Sequence, residues 1–198
     1  MTNFKKPTLD ELGVKYITDK SSLFHDYLTQ YERFFPEPEK IEKVVELGLQ
    51  RRSGQWKHSP LPSVNMWLEF FPNAKIYGFD KQNLQSFNRF TFFRGDQGRI
   101  KHHMEFGERT GWDLDFVIDD ASHRCSHQLL SLLFFFPRLK SGGVYICEDT
   151  RALVQKEYDE KFWPENYFEQ YLKTMDCTWE WIPSASVGEK SSLVIVKK

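Results

Sequence analysis

The fold is decided by the stretch Leu114-Asp115-Phe116-Val117-Ile118-Asp119-Asp120, an apolar run that ends in two acids. Four further runs of similar texture lie at 44–48, 74–80, 89–94 and 143–149. Continuous apolar runs, unlike alternating ones, are typical of strands that are buried on both faces of a parallel sheet. The sequence therefore predicts five such strands.

Helical patterns lie between these strands. Apolar residues recur at helical spacing over 62–71 and over 123–139, and the second stretch is followed by the stop signal Lys140-Ser141-Gly142-Gly143. Two more strand-like runs, 177–183 and 191–197, predict an antiparallel hairpin near the carboxyl terminus. The expected fold is of the α/β class, a Rossmann-like open, mostly parallel sheet with a C-terminal antiparallel hairpin.

The length of 198 residues is that of one domain. We expect a single domain over 1–198, in which 1–40 forms an N-terminal helical cap segment. Within that segment, the apolar residues between Asp19 and Phe35 predict one helix that docks on the sheet or covers a ligand.

Charge and cysteine content limit the classes of partner. Lys and Arg number 27 against 28 Asp and Glu, so the net charge of −1 gives no electrostatic reason to expect nucleic acid. Three widely spaced cysteines are typical of a reducing compartment. The longest apolar run, 129–137, is about half of what a membrane span requires. We therefore expect a cytoplasmic protein without a nucleic-acid or membrane partner.

Acidic residues stand at the end of every predicted strand of the parallel set. In strand order they are Glu46-x-Gly48, Asp80, Gly95-Asp96-Gln97, Asp119-Asp120 and Glu148-Asp149. Ligands of open α/β sheets bind outside the carboxyl ends of the strands. The pattern predicts a polar cavity at that edge of the sheet.

The first two of these acids are typical of a nucleotide-binding half. Gly48 would let the backbone approach a ligand, and Asp80 would suit a ribose diol. Their spacing of 32 residues exceeds the usual value of about 20, which an inserted loop over Arg51–Ser63 would explain. An acid at a strand end beside a packing glycine is an equal alternative, and no glycine-rich phosphate fingerprint is present.

The acids after the last two strands predict a metal centre. Asp120, Glu148 and Asp149 would converge if the strands are neighbours, and oxygen ligands suit Mg²⁺. His123 would lie at the start of the next helix as a general base. The alternative is that Asp119 or Ser122 caps that helix and that His123 is a solvated residue of its first turn.

Other polar and aromatic residues have simpler interpretations. His102 and His103 lack a carboxylate at metal-ligand spacing and are expected on the surface, and Cys125 and His127 are expected in packing or surface positions. The aromatic stretch 162–171 would form either an acceptor pocket or an amphipathic core helix. The aromatic side chains expected around a substrate are Trp56, Trp163, Tyr167 and Phe168.

Taken together, these residues resemble one family. The shared motifs are Gly13-x-x-x-x-Thr18-Asp19-Lys20-Ser21, His25-x-Tyr27, Tyr31-Glu32, Val45-Glu46-Leu47-Gly48, Met66-Trp67, Ile76-Tyr77-Gly78-Phe79-Asp80, Gly95-Asp96-Gln97, Ile118-Asp119-Asp120-x-Ser122-His123 and Gly142-Gly143-Val144-Tyr145-x-x-Glu148-Asp149. They are similar to those of the class I S-adenosylmethionine-dependent, divalent-metal-dependent O-methyltransferases that act on macrolide sugars, with cephalosporin-hydroxylase-like relatives. The resemblance runs from about Gly13 to Asp149 and implies the class I methyltransferase fold.

The resemblance also implies roles for individual residues. Glu46, Gly48, Asp80, Asp96, Gln97 and Asp119 would bind S-adenosylmethionine. Asp120, Glu148 and Asp149 would hold Mg²⁺ or another divalent cation, and His123 with Asp120 would be catalytic. Lys20, His25 and Tyr27 would help to cover the cofactor. The loop after Gly48 is longer than in the family, and the extra oligomerisation domain of larger members has no room here, so a homo-oligomer is an open alternative.

The expected function is Mg²⁺-dependent methylation of a hydroxyl on a small molecule, a sugar or a glycosylated metabolite. An amine acceptor is a further alternative. From another class, the chain could be a non-catalytic S-adenosylmethionine-binding module that acts as a partner or regulator. A nicotinamide oxidoreductase is disfavoured by the missing glycine fingerprint.

Overall fold

A computed structural model describes residues 6–49, 61–150, 164–184 and 188–198. Its centre is a seven-stranded sheet in the order β3-β2-β1-β4-β5-β7-β6. The strands are β1 Lys43–Leu47, β2 Lys75–Asp80, β3 Phe90–Arg94, β4 Leu114–Asp119, β5 Leu139–Cys147, β6 Cys177–Ser184 and β7 Gly188–Lys197. The first five are parallel, and β7 is antiparallel to both of its neighbours. The predicted fold class is confirmed.

Helices cover both faces of the sheet. They are α1 Leu9–Tyr16, α2 Leu28–Tyr31, α3 Pro62–Phe70, α4 Ile100–Thr110, α5 Cys125–Phe135 and α6 Pro164–Leu172. Short 3₁₀ turns follow at Glu32–Phe34, Pro38–Lys40 and Phe136–Arg138. Within these ranges, no helix is long and apolar enough to cross a membrane.

The strands separate two apolar cores. Val44 packs in the core on the side of α1 and α3, which includes Trp67, whereas the adjacent Val45 packs in the core on the side of α4 and α5, which includes Phe106. All six residues of β4 are buried. Burial on both faces explains why the strands are continuous apolar runs in the sequence.

The N-terminal segment differs from its prediction. A single helix over Asp19–Phe35 is wrong: the chain forms turns before the four-residue α2, and the predicted stretch omits α1 altogether. The Lys20 carbonyl accepts hydrogen bonds from the amides of Tyr27 and Leu28, and Asp26 has a left-handed φ of 57°. These turn contacts compete with a continuous helix.

The starts of α5 and β5 also differ from the prediction. Helix α5 begins at Cys125, so His123 lies in the preceding loop with a left-handed φ of 56° and not in the first helical turn. Strand β5 begins at Leu139, and the predicted stop signal at 140–143 belongs to its irregular first half, where Gly142 has a φ of 76°. Parallel pairing with β4 therefore starts earlier than the apolar run indicates.

The amino ends of β1 and β4 are joined by Asp115. Its buried carboxylate accepts hydrogen bonds from the backbone amides of Glu42 (3.0 Å) and Lys43 (2.9 Å) and forms an ion pair with Lys140. The charge at this edge is thus satisfied locally, which leaves the carboxyl edge of the sheet as the place for a ligand.

Gly48 sets the approach of β1 to β4 at the carboxyl edge. Its φ of +83° is left-handed, and a Cβ atom there would lie 2.5 Å from the Cα of Ala121 and closer still to the Asp120 carbonyl oxygen. Only glycine fits both the conformation and the gap.

We therefore expect Gly48→Ala to lower the free energy of unfolding in two ways. Alanine in a left-handed backbone conformation costs about 1–2 kcal/mol, and forcing its methyl group into the gap costs roughly 1–3 kcal/mol more. Gly142→Ala is the matched control, because Gly142 has a φ of +76° but nothing within 4 Å of its Cβ position. Urea unfolding of both variants measures the difference. Equal losses would show that the β1–β4 gap tolerates a methyl group.

Candidate functional site

The predicted acids meet at the carboxyl edge of the sheet. Backbone hydrogen bonds continue past the strand ends: the Asp120 amide donates to Leu47 and the Glu148 amide donates to Asp119, both at 2.9 Å. The loops after β1, β4 and β5 are therefore held side by side. This is the region where the chain order of the sheet reverses, and where open α/β sheets bind ligands.

Three of the predicted side chains form a group that could hold a metal ion. One ligand atom each of Asp120, His123 and Asp149 lies within 4.8 Å of the others. The Nε2 atom of His123 is 4.0 Å from Asp120 Oδ1 and 3.9 Å from Asp149 Oδ2. Asp149 and His123 both have left-handed φ values, 51° and 56°, and such backbone strain is concentrated at functional sites.

The side chain of Glu148 pairs with Lys20 and not with His123. Its Oε2 atom accepts a hydrogen bond of 2.6 Å from Lys20 Nζ, and the same ammonium also contacts Asp120. All of Glu148 is buried, and burial raises the pKa of its carboxyl group. The structure thus brings Glu148 close to Asp120 through Lys20, and not into the group formed with His123.

Lys20 is a fully buried cation. Burial acts to lower its pKa, but the charges of Asp120 and Glu148 outweigh burial and hold the pKa well above the usual value. The ammonium is therefore charged at neutral pH. The sequence placed Lys20 only among the residues that would cover the cofactor.

Two tyrosines of the N-terminal segment support the acids after β5. Tyr27 donates a hydrogen bond of 3.0 Å to Asp149, and Tyr31 donates one of 3.1 Å to Glu148. Their rings stack at 5.7 Å between centroids. Burial raises the pKa of both hydroxyls, so they remain donors. Tyr31 was missed as a functional candidate, although it lies in one of the quoted motifs.

Glu46 is a buried carboxylate in β1. Among the described residues, neither of its oxygens has a hydrogen bond of full geometry, although Ser63 and Trp67 lie close enough to lower its pKa. Burial raises the pKa of Glu46 to about 7, against smaller opposing effects of Lys20, Ser63 and Trp67. A buried acceptor without a donor is costly, so this carboxylate suits a cationic or donor-bearing ligand.

Asp80 and Asp96 fix the loops at the strand ends. Asp80 accepts hydrogen bonds from the amides of Leu49 and Gln82, both at 2.8 Å. Asp96 accepts one of 2.9 Å from the Gly98 amide and pairs with Lys81 at 3.2 Å. Burial opposes these contacts at Asp96, but they prevail and lower its pKa.

Gln97 and Asp119 are bonded to each other beneath this edge. The Gln97 amide nitrogen is 2.7 Å from both carboxylate oxygens of Asp119, and its oxygen accepts from the Ser122 amide at 3.0 Å. Tyr145 donates to Asp119 at 3.2 Å. Burial raises the pKa of Asp119 to about 6. Neither Asp119 nor Ser122 caps α5, which has Arg124 at its N-cap.

Some of the other expectations are corrected. His103 is fully buried and not on the surface, because it bonds Ser131 and packs against Phe79. Phe168 is 1% exposed and packs in the core on the α5 side, and its expected place beside a substrate stays a prediction.

Several of the remaining candidates lie outside the described residues. They are Trp56, Trp163, most of the inserted loop Arg51–Ser63 and the side chain of Tyr167. Cys125 is buried, as the packing interpretation expects, and His127 bonds Ser122 at 2.8 Å.

Comparison with known proteins finds relatives of similar sequence. No protein-family model matches the chain. It is 33% identical over 150 residues to the mycinamicin VI 2''-O-methyltransferase of Micromonospora griseorubida and 35% identical over 149 residues to the demethylmacrocin O-methyltransferase of Streptomyces fradiae. Each match covers 73% of this chain and 36% of the relative. The chain is related to the macrolide sugar O-methyltransferases.

A solved structure supports the same fold. The MycE methyltransferase of the mycinamycin pathway, crystallised with Mg and SAH, superimposes with a TM-score of 0.80 at 24% identity. The match covers 98% of this chain and 55% of MycE. The resemblance to class I methyltransferases is therefore confirmed, and the chain spans about a third of the length of its sugar O-methyltransferase relatives.

The buried carboxylate of Glu46 makes stability depend on pH. A carboxyl group whose pKa rises from 4.5 to about 7 on folding stabilises the folded state when protonated. Its contribution is complete below pH 4.5 and is lost as the pH rises through about 7. The change corresponds to about 3 kcal/mol, since one pK unit is about 1.4 kcal/mol.

We therefore expect ligand-free wild-type protein to lose about 3 kcal/mol relative to Glu46→Gln between about pH 4.5 and pH 8. Urea unfolding at several pH values measures this difference. Glu69→Gln is the control. Hydrogen bonds from Lys15 and Tyr16 lower the pKa of Glu69, so its stability difference from wild type should not change between about pH 4.5 and pH 8. Parallel profiles of wild type and Glu46→Gln would contradict the raised pKa.

Proposed function

We propose that the chain carries an S-adenosylmethionine-dependent, Mg²⁺-dependent O-methyltransferase activity toward a hydroxyl group of a small molecule, a sugar or a glycosylated metabolite. One observation carries the proposal: Asp120, His123 and Asp149 converge at the carboxyl edge of a class I methyltransferase sheet. The relatives are named for methylation of sugars or of macrolide glycosides, which supports the choice of acceptor.

The edge above β1 suits the cofactor. S-adenosylmethionine carries a sulfonium and an ammonium, and the methyl group leaves the sulfonium as a cation equivalent. The unpartnered oxygens of Glu46 would accept from the ammonium, and Gly48 leaves room for a close approach of the ligand. Asp80, Asp96, Gln97 and Asp119 stay proposals as cofactor-binding residues. Gln97 and Asp119 would act by holding the loops, because their side chains bind each other.

The acids after β4 and β5 suit a divalent cation. Asp120 and Asp149 belong both to the predicted ligand set and to the group found in the structure. Glu148 is proposed as the third oxygen ligand because hard cations such as Mg²⁺ prefer oxygen over imidazole nitrogen. A cation bound there would lower the pKa of an acceptor hydroxyl.

His123 is proposed as the general base. Its ring lies beside both carboxylates, and its Nδ1 atom is buried without a partner among the described residues. An imidazole held near negative charge can accept the hydroxyl proton as the new bond forms. Tyr27 and Tyr31 would keep Asp149 and Glu148 in place during that step.

We propose that the protein works in the cytoplasm. All three cysteines are free and buried, which suits the cytoplasm. A hydroxylated acceptor is the proposed partner, and we propose neither nucleic acid nor a membrane as a further one. The segment after β5 remains the expected place of the acceptor pocket.

The central experiment measures cofactor binding. Titration calorimetry with S-adenosylmethionine, S-adenosylhomocysteine and NAD, with and without Mg²⁺, should show binding of both sulfur compounds and not of NAD. Transfer of a labelled methyl group to a panel of sugars, glycosides and amines then identifies the acceptor. Cofactor binding without transfer would favour the non-catalytic binding module, and absence of sulfur-cofactor binding would refute the proposal.

Asp120→Asn should abolish metal-dependent methyl transfer and leave cofactor affinity nearly unchanged, because the amide removes a metal-ligand charge but preserves shape. Asp113→Asn is the matched control, since Asp113 is exposed just before the opposite end of β4. Calorimetry and the transfer assay report the two properties separately. An equal loss of both would contradict the assigned division of roles.

His123→Asn should lower turnover by roughly 10²–10⁴-fold if the imidazole is the base. Asparagine is chosen because it tolerates the left-handed backbone of this position. Metal affinity, measured by Mn²⁺ titration, should remain within about threefold, because a base is not a ligand. A parallel loss of metal affinity would instead assign His123 to the metal, in place of Glu148.

A further inference from the structure

The ammonium group of Lys20 occupies the position of a counter-ion in the acidic site. It contacts Asp120 and is 2.6 Å from Glu148, and its side chain is 1% exposed. Asp19 and Glu46 add further negative potential around it. Because water does not screen these charges, the carboxylates attract the buried ammonium strongly.

The acids that Lys20 contacts are those proposed for the divalent cation. Asp120 belongs to the metal-capable group, and Glu148 is the proposed third ligand. The free side of Asp120, its Oδ1 atom, faces His123, whereas Oδ2 faces Lys20. Asp120 is therefore shared between two positions for positive charge.

We propose that Lys20 is a tethered counter-ion that competes with the divalent cation for Asp120 and Glu148 and thereby weakens cation binding. The ammonium holds the two carboxylates together when no cation is present. When a cation binds, Lys20 loses at least part of its contact with Glu148. The inference depends on the proposed function in that it takes these acids as metal ligands.

The N-terminal segment gains a role from this arrangement. Lys20 precedes the turns that lead to Tyr31, which bonds the same Glu148, and to Tyr27, which bonds the neighbouring Asp149. The lysine is thus a positioning residue whose effect appears in metal affinity. A lysine that only stabilised the fold would not weaken metal binding.

The test compares Mn²⁺ affinity by titration calorimetry in the absence of cofactor. Lys20→Met should bind Mn²⁺ roughly tenfold or more tightly than wild type, because a nearby positive charge is removed. Lys15→Met is the matched control: Lys15 also pairs with a glutamate, Glu69, but is exposed, so its loss should leave affinity unchanged. Unchanged or weaker binding by Lys20→Met overturns the inference.

Thermal unfolding supplies a second readout. Lys20→Met should have a lower Tm than wild type in EDTA, because two buried carboxylates lose their cation, and saturating Mn²⁺ should restore it. A Tm deficit that Mn²⁺ does not reduce contradicts competition. If this variant does not fold, Lys20→Arg decides: its guanidinium binds carboxylates in a bidentate way, so Mn²⁺ affinity should fall several-fold. Unchanged or tighter binding by Lys20→Arg overturns the inference.

Failure of this inference can be separated from failure of the proposed function. If neither wild type nor Lys20→Met binds Mn²⁺, the metal part of the proposed function falls together with the inference. If wild type binds Mn²⁺ and loses it in Asp120→Asn, while Lys20→Met binds with wild-type affinity, only the counter-ion role is refuted.

Discussion

The burial of several carboxylates at one edge of the sheet is the constraint on which the rest of the structure depends. Asp119, the last residue of β4, and Glu148, just after β5, are buried beside each other, and Glu46 lies in the adjacent β1. Such charges are costly unless donors surround them. Lys20 and Gln97 supply donors to this edge from different parts of the chain. Glu46 receives no hydrogen bond of full geometry from the described residues.

This constraint explains the placement of the N-terminal segment. The turns after α1 carry Lys20 to the acids, and the short α2 directs Tyr31 to Glu148 and to Ser192 of β7. A straight helix over the same residues could not provide the turn in which Lys20 accepts from two amides. The turns of this segment place Lys20 and Tyr31 against the buried acids that they hydrogen-bond.

Local pattern predicted the sheet because burial on both faces leaves a continuous apolar run in each central strand. It did not predict α1, although Thr8 and Glu11 form a capping box that is visible as a spacing in the sequence. It placed α5 two residues too early because a left-handed conformation at His123 leaves no compositional signal. The start of β5 at Leu139 was missed for a similar reason: the first half of the strand, which includes Gly142, is irregular.

The acids of the site were predictable because they follow the strands, and parallel strands share one edge. Their partners were not, because a side-chain contact between distant parts of the chain has no local signature. The ion pairs of Lys20 and the buried pair of Gln97 and Asp119 are of this kind. His103 shows the same limit, since its burial depends on Ser131 and on the rings around it.

The hydrogen bond between Tyr31 and Ser192 has a consequence for the order of folding. It joins residues 161 positions apart, and the Lys20–Glu148 contact joins residues 128 apart. Contacts of such separation are slow to form because a long loop must close first. During synthesis, the segment that carries Lys20 and Tyr31 emerges before both partners: the Lys20–Glu148 contact must wait for the residues after β5, and the Tyr31–Ser192 bond must wait for β7. Lys20 and Tyr31 are therefore among the last residues to reach their final environment.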